Sequence, residues 1–158
     1  MIKTIMLSVC IAASSLSLDA RAEEASSLSR NALAQNDRHY SDGPVTQVDS
    51  IGVEYGHLEE YIDWLNSTWK PTMEAMKRAG LIVDYHVFQA TPNSPDQPNI
   101  YLMITYRNAA AALDNGVELE YVARNVICST ECQNQARVVR NGYRRVLGTQ
   151  YIRELILR

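Results

Sequence analysis

The sequence predicts an α+β domain in which a four-stranded antiparallel sheet carries helices on one face. Three observations lead there. Stretches rich in β-branched and aromatic residues recur at 45–55, 81–91, 99–107 and 150–157, the composition of strands. A helical period of apolar residues fills 57–79, and further helical stretches separate the third strand from the fourth. The resulting order, strand, helix, strand, strand, helix, strand, is the split βαβ arrangement called ferredoxin-like.

Each element has its own signals. The first strand, VTQVDSIGVEY, lies between Asp42-Gly43-Pro44 and Gly56. In the first helix, Leu58, Ile62, Leu65, Trp69, Met73 and Met76 recur at spacings of three and four and form one buried stripe. Pro71 falls inside this helix and predicts a kink or a restart near Lys70, and Gly80 predicts its end. The second and third strands form a hairpin across a loop of about seven residues, Pro92 to Pro98. Asn108 caps a short Ala-rich helix that Gly116 interrupts. Helical stretches follow at 117–127 and 131–147, with Thr130 as N-cap, Gln133 completing a capping box and Gly148 as the last stop. Alternation in the hairpin puts Val83, Tyr85, Leu102 and Ile104 under the helices. It leaves Asp84, His86, Phe88, Tyr101, Met103 and Thr105 on the uncovered face. That face is too apolar to leave wet, and a second copy packing sheet to sheet is its expected cover.

The chain has 158 residues, 46% hydrophobic and 21% charged, with a formal net charge of -3. These values fit one globular domain and exclude collagen-like, disordered and multi-span membrane classes. An acidic balance gives no general pull toward nucleic acid, and no nucleic-acid partner is expected. The first 22 residues have the layout of a secretory signal peptide: Lys3, an apolar run of about ten residues, then Ala20-Arg21-Ala22. That run is shorter than the roughly 20 residues of a spanning helix. Cleavage is expected after Ala22, with a periplasmic or secreted product, a loosely ordered arm over 23–44 and the folded domain over 45–158. The product would hold 13 basic and 17 acidic residues.

Export decides how the cysteines are read. Only Cys128 and Cys132 would remain, and in an oxidising compartment such a pair is most simply a disulfide. No metal site is expected, because His39, His57 and His86 make no ligand spacing with them. No Gly-x-Gly-x-x-Gly, phosphate loop, His-Glu-x-x-His or Gly-x-Ser-x-Gly occurs, so no cofactor is predicted.

Three sets of residues carry candidate chemistry. His57, Tyr61 and Trp64 adjoin the buried stripe at spacings of four and three and are placed to line a pocket between sheet and first helix; the alternative is packing at the core edge. His86 shares a strand face with Asp84, the pairing of a general base and its orienting carboxylate or of a hydrogen-bonded interface histidine. Charge is segregated: residues 23–120 carry 6 basic and 15 acidic groups, residues 121–158 carry 7 and 2. Arg137, Arg140, Arg144 and Arg145 are expected as one stripe on the last helix, either a grip for a carboxylate ligand or a solvated face.

The stretch from Trp69-Lys70-Pro71-Thr72-Met73-Glu74-Ala75 to Ala79-Gly80-Leu81-Ile82-Val83-Asp84-Tyr85, with Tyr106-Arg107-Asn108 and the ending Leu147 to Leu155, resembles a group of uncharacterised exported bacterial proteins. Those in turn resemble the dimeric α+β barrel superfamily, with its NIPSNAP-like proteins, cofactor-free antibiotic-biosynthesis-type monooxygenases, muconolactone isomerase-like enzymes and haem-degrading proteins. The resemblance covers about 45–158 and implies the fold and a homodimer. It carries no catalytic motif over, and fold likeness does not transfer a reaction. The expected function is therefore binding of a small aromatic or acidic molecule, with Trp64, Asp84 and Arg107 as ligand contacts. One alternative is a cofactor-free monooxygenase or isomerase using His57 or His86 as base and Tyr61 or Tyr106 as donor. The other is an interaction module without ligand.

Overall fold

A computed structural model describes Ser26 and residues 38–158. The expected signal peptide and most of the expected arm lie outside the described residues. The described residues divide into a compact unit, Asp42–Ile156, and a second that includes residues 38–41 with Leu157–Arg158. In the second, the Arg158 N–H donates to the His39 carbonyl at 3.0 Å. The rest concerns the first.

The strands are β1 (Tyr40–Val53), β2 (Asp84–Gln89), β3 (Ile100–Tyr106) and β4 (Arg144–Leu157), in the spatial order β2-β3-β1-β4. The helices are α1 (Leu58–Trp64), α2 (Lys70–Arg78), α3 (Ala109–Leu113), α4 (Gly116–Val126) and α5 (Thr130–Arg140). This is the expected α+β ferredoxin-like fold. Antiparallel pairing sets Val48 opposite Met103 and Ile51 opposite Ile100 on one side of β3, and His86 opposite Met103 on the other.

The expected face parity holds at the centre. Ile100, Leu102, Ile104 and Tyr106 are buried together with Tyr61, Leu65, Trp69, Met73 and Met76 of the first helical stretch. Burying an aliphatic side chain of this size contributes about 1.5–3 kcal/mol, so this stripe anchors helix to sheet. Val83, expected in this layer, is instead 49% exposed, because it precedes β2 and Ile82 takes the buried position.

The first helix restarts where Pro71 requires it. Between α1 and α2, Leu65–Trp69 form a π-turn, and Pro71 follows at the start of α2. Pro71 has no N–H to give the carbonyl four residues back, and a wider turn relieves the clash of its ring there. The Thr72 hydroxyl bonds the Thr68 carbonyl at 2.8 Å. At the other end, Gly80 adopts φ +71, and the Leu81 N–H bonds the Met76 carbonyl at 3.0 Å. This left-handed closure favours glycine.

Several boundaries differ from expectation: β2 is shorter than the expected 81–91, β1 ends at Val53, and β4 starts at Arg144 instead of 150, so that Gly148 lies within it. β1 begins at Tyr40, so the last residues of the expected arm are strand. There Asp42 pairs with Arg153 of β4 at 3.3 Å, and a Cβ at Gly43 would meet Glu154 at 3.0 Å. Pro44 is tolerated because pairing with β3 starts only at Val45. The β2–β3 loop spans 90–99, closed by an Ala90 N–H to Asn99 carbonyl bond, so the hairpin loop is longer than its prolines suggested. The cap of α5 is Ser129, whose Oγ accepts the Cys132 N–H at 3.3 Å; Gln133 does not close a capping box but donates to the Cys128 carbonyl at 2.8 Å. Finally, α5 stops at Arg140 instead of Leu147. Asn141-Gly142 turn the chain, Tyr143 is buried, and its carbonyl accepts the Glu54 N–H at 2.9 Å, which starts β4 beside the end of β1. The Asn108 cap of α3 is as expected, with Oδ1 accepting the Ala111 N–H at 2.8 Å.

Candidate functional site

The early end of α5 divides the expected arginine stripe between two elements. Arg137 and Arg140 lie on α5, while Arg144 and Arg145 open β4. Arg145 leaves the group to pair with Glu54 at 3.4 Å and the Pro95 carbonyl at 3.3 Å. Arg137, Arg140 and Arg144 converge on a cavity of about 520 Å³ between the helical layer and the sheet, floored by Gln47, Asp49 and Leu102.

Its charge is unbalanced. Among the described residues, none of these three arginines forms an ion pair. The Nε atoms of Arg140 and Arg144 are buried without a hydrogen-bond partner. Aromatic faces hold them in place: the Arg140 guanidinium lies 4.1 Å above the Trp64 ring, and that of Arg144 lies 5.6 Å from Trp64 and 5.8 Å from Tyr61. Arg144 also donates to the Tyr61 hydroxyl at 3.4 Å. Burial, and then the charge of Arg144, lower the pKa of Arg140. An arginine stays cationic in a protein even so. Buried donors without partners are uncommon and call for a specific explanation.

The floor is a polar chain on the helix side of β1. The Gln47 amide nitrogen donates to both Asp49 carboxylate oxygens at 3.1 and 3.0 Å, and the Thr149 hydroxyl donates to Oδ1 at 2.6 Å. The phenols of Tyr106 and Tyr151 donate to the Gln47 carbonyl oxygen at 3.4 and 3.3 Å. Burial, then the neighbouring Tyr151 and Asp49, push the Tyr106 phenol up to about 12; burial also raises Tyr61.

The residues singled out in the sequence fall into two groups. Tyr61, Trp64 and Tyr106 touch the residues that line this cavity, Tyr61 through Arg144, Trp64 through Arg140 and Tyr106 through Gln47. The others lie elsewhere. His57 is exposed, bonded through Nδ1 to Glu60 at 2.9 Å and stacked on Tyr143 at 5.4 Å. His86 is half exposed, 3.4 Å from Asp84, which Lys77 also grips at 2.9 Å; that lysine holds the Asp84 carboxyl below its usual range. Arg107 is exposed and donates to the Gly80 carbonyl. Sequence reasoning missed Gln47, Asp49, Thr149 and Tyr151. The available signal was alternation along β1, where polar Gln47 and Asp49 interrupt the apolar set of Val45, Ile51 and Val53 on the core side.

Behind the arginines lies a second cavity of about 330 Å³, walled by Trp64, Ile127, Ala136 and the Cys128–Cys132 disulfide, and sharing Arg137 and Arg140 with the first. The disulfide is the pairing expected from the sequence. No group of three or more His, Cys, Asp or Glu side chains able to hold a metal occurs among the described residues, and no described helix is long and apolar enough to cross a membrane.

No protein-family model and no curated protein matches the chain. Among solved structures, it is similar to two dimeric ferredoxin-like proteins from uncultured marine organisms. The first is 13% identical with a TM-score of 0.48, covering 75% of this chain and 98% of the other. The second is 8% identical with a TM-score of 0.46, covering 75% and 90%.

Proposed function

We propose that this protein is an exported binding protein for a small organic acid, held in the cavity between sheet and helices by Arg140 and Arg144. The observation that carries this reading is the pair of buried Nε–H groups without partners. A guanidinium presents Nε–H and one Nη–H side by side, the spacing that a carboxylate accepts in bidentate fashion. In a site partly removed from water, such a contact is worth about 1.5–3 kcal/mol per charged hydrogen bond. Asp49 and the Gln47 amide on the floor favour an acid that also carries a donor such as a hydroxyl. Pockets that combine apolar walls with a few convergent polar groups are typical small-molecule sites.

Calorimetric titration with small mono- and hydroxycarboxylates tests the reading. Replacing Arg140 or Arg144 with Met, which keeps the stem but removes the donors, should weaken binding about 10- to 100-fold, the loss of one or two charged hydrogen bonds. Equal affinity in both variants would overturn it.

Export with cleavage after Ala22 belongs to the same reading and is supported by the leader-like layout of residues 1–22 and by the cysteine pair. So does a homodimer through the sheet. On the face away from the helices, Phe88 is 48% exposed beside Tyr101 and Met103, and the edge strand β4 leaves Tyr151, Ile152, Leu155 and Ile156 about half exposed on both of its sides. A long apolar edge strand invites pairing with another chain, and a two-fold partner presents the same surface in return.

A further inference from the structure

Resting on the organic-acid reading, we propose that the ligand is an amphipathic carboxylate, an acid whose apolar tail occupies the chamber beside the Cys128–Cys132 disulfide. Two observations place tail and head together. The chamber and the polar cavity share Arg137 and Arg140, so one guanidinium pair forms the boundary between them. The two compartments also differ in balance: one sets Gln47, Asp49 and Thr149 among its apolar residues, whereas the other is mainly Trp64, Ile127, Ala136 and the disulfide, with Thr68 and Gln133 as its uncharged polar groups.

Arg140 is the hinge of this arrangement. Its guanidinium carbon lies over the Trp64 ring at 4.1 Å from the ring centre, and its Nε is buried and unpartnered. An acid seated on that Nε has its carbon chain at the rim of the chamber. An inorganic anion or a very short acid would satisfy the arginines and leave the apolar walls uncovered. A tail removes Trp64, Ile127 and the disulfide sulfurs from water, and this gain scales with the apolar area covered.

The experiment is calorimetric titration of the full-length protein with straight-chain carboxylates: butanoate, hexanoate, octanoate and decanoate. Affinity should rise about fourfold per added methylene, the equivalent of about 0.8 kcal/mol, and level off once the chamber is filled. Ala136→Trp should fill the chamber and remove the dependence on length. The length series needs no variant, so a misfolded Ala136→Trp protein leaves the test intact. Carboxylates that bind with the same affinity at every length would overturn the tail chamber while leaving the anion site standing. No binding by any member, butanoate included, would overturn the anion site and this inference together.

Discussion

Trp64 shows how a single side chain serves two environments. One ring stacks on the buried Tyr61 at 5.5 Å, supports the Arg140 guanidinium and lines the chamber beside the disulfide. Cation–π support of this kind is worth about 0.5–2 kcal/mol, so Trp64→Ala should weaken ligand binding by loosening Arg140 as well as by removing wall. Tyr106 gives a pH prediction. In the fold its phenol stays neutral up to about 12, against 10.0 for a free tyrosine. Its contribution to stability is therefore present below pH 10 and is lost as pH rises from about 10 to about 12, because the unfolded chain ionises first. Chemical denaturation across that range should show stability falling, and Tyr106→Phe should flatten the fall while costing no more than about 1 kcal/mol at neutral pH. Gly80 tests the backbone: Gly80→Ala forces a Cβ into φ +71 and should cost about 1–2 kcal/mol, read as a lower denaturation midpoint.

At the scale of elements, the turn from α5 into β4 decides the site. Had the helix continued to Leu147, Arg144 would have followed Arg140 up one helix face. Because the chain turns at Asn141-Gly142, Arg144 enters from the sheet side and meets Arg140 across Trp64. The start of α5 is held differently. Ser129 caps it, and the disulfide ties Cys128, just outside the helix, to Cys132 in the first turn. A loop this short gives about 2 kcal/mol by the chain-entropy relation. The double variant Cys128→Ser, Cys132→Ser should therefore keep its far-ultraviolet dichroism and lose about that much in denaturant titration. A loss of the whole fold would show that the bridge does more than pin this corner.

For the whole molecule, the surface to be explained is the apolar sheet face together with β4. Met103 lies at the centre of that face, opposite His86 on one side and Val48 on the other. Met103→Arg should place a charge in the proposed interface and shift a dimer to monomer by light scattering, since an unpaired buried charge costs several kcal/mol. A wild-type protein that is monomeric at micromolar concentration would count against the pairing. Ligand binding should survive in the Met103→Arg monomer, because Arg140 and Arg144 lie on the opposite, helix-covered side of the sheet.

The sequence by itself determined what depends on local pattern. Alternation in the hairpin put Leu102 and Ile104 under the helices, the three-and-four spacing from Leu58 to Met76 located the stripe that packs on them, and Pro71 and Gly80 placed the restart and the stop of the first helical stretch. The disulfide followed from there being two cysteines outside the expected leader. Only the tertiary structure decided the site. Arg137, Arg140 and Arg144 read as a stripe on one helix, and that stripe read more readily as a solvated face than as a grip on a carboxylate, because charge spacing is the same in both cases and solvated stripes are the commoner. Gln47 and Asp49 gave only the weak signal of two polar residues interrupting the apolar alternation of β1, since a polar residue in a strand reads as facing solvent until the layer above it is known. What sets the proposed binding cavity apart from a solvated surface is burial without a partner at two Nε atoms, and that property belongs to neighbours brought together from β1, α1, α5 and β4, which no local window of sequence contains.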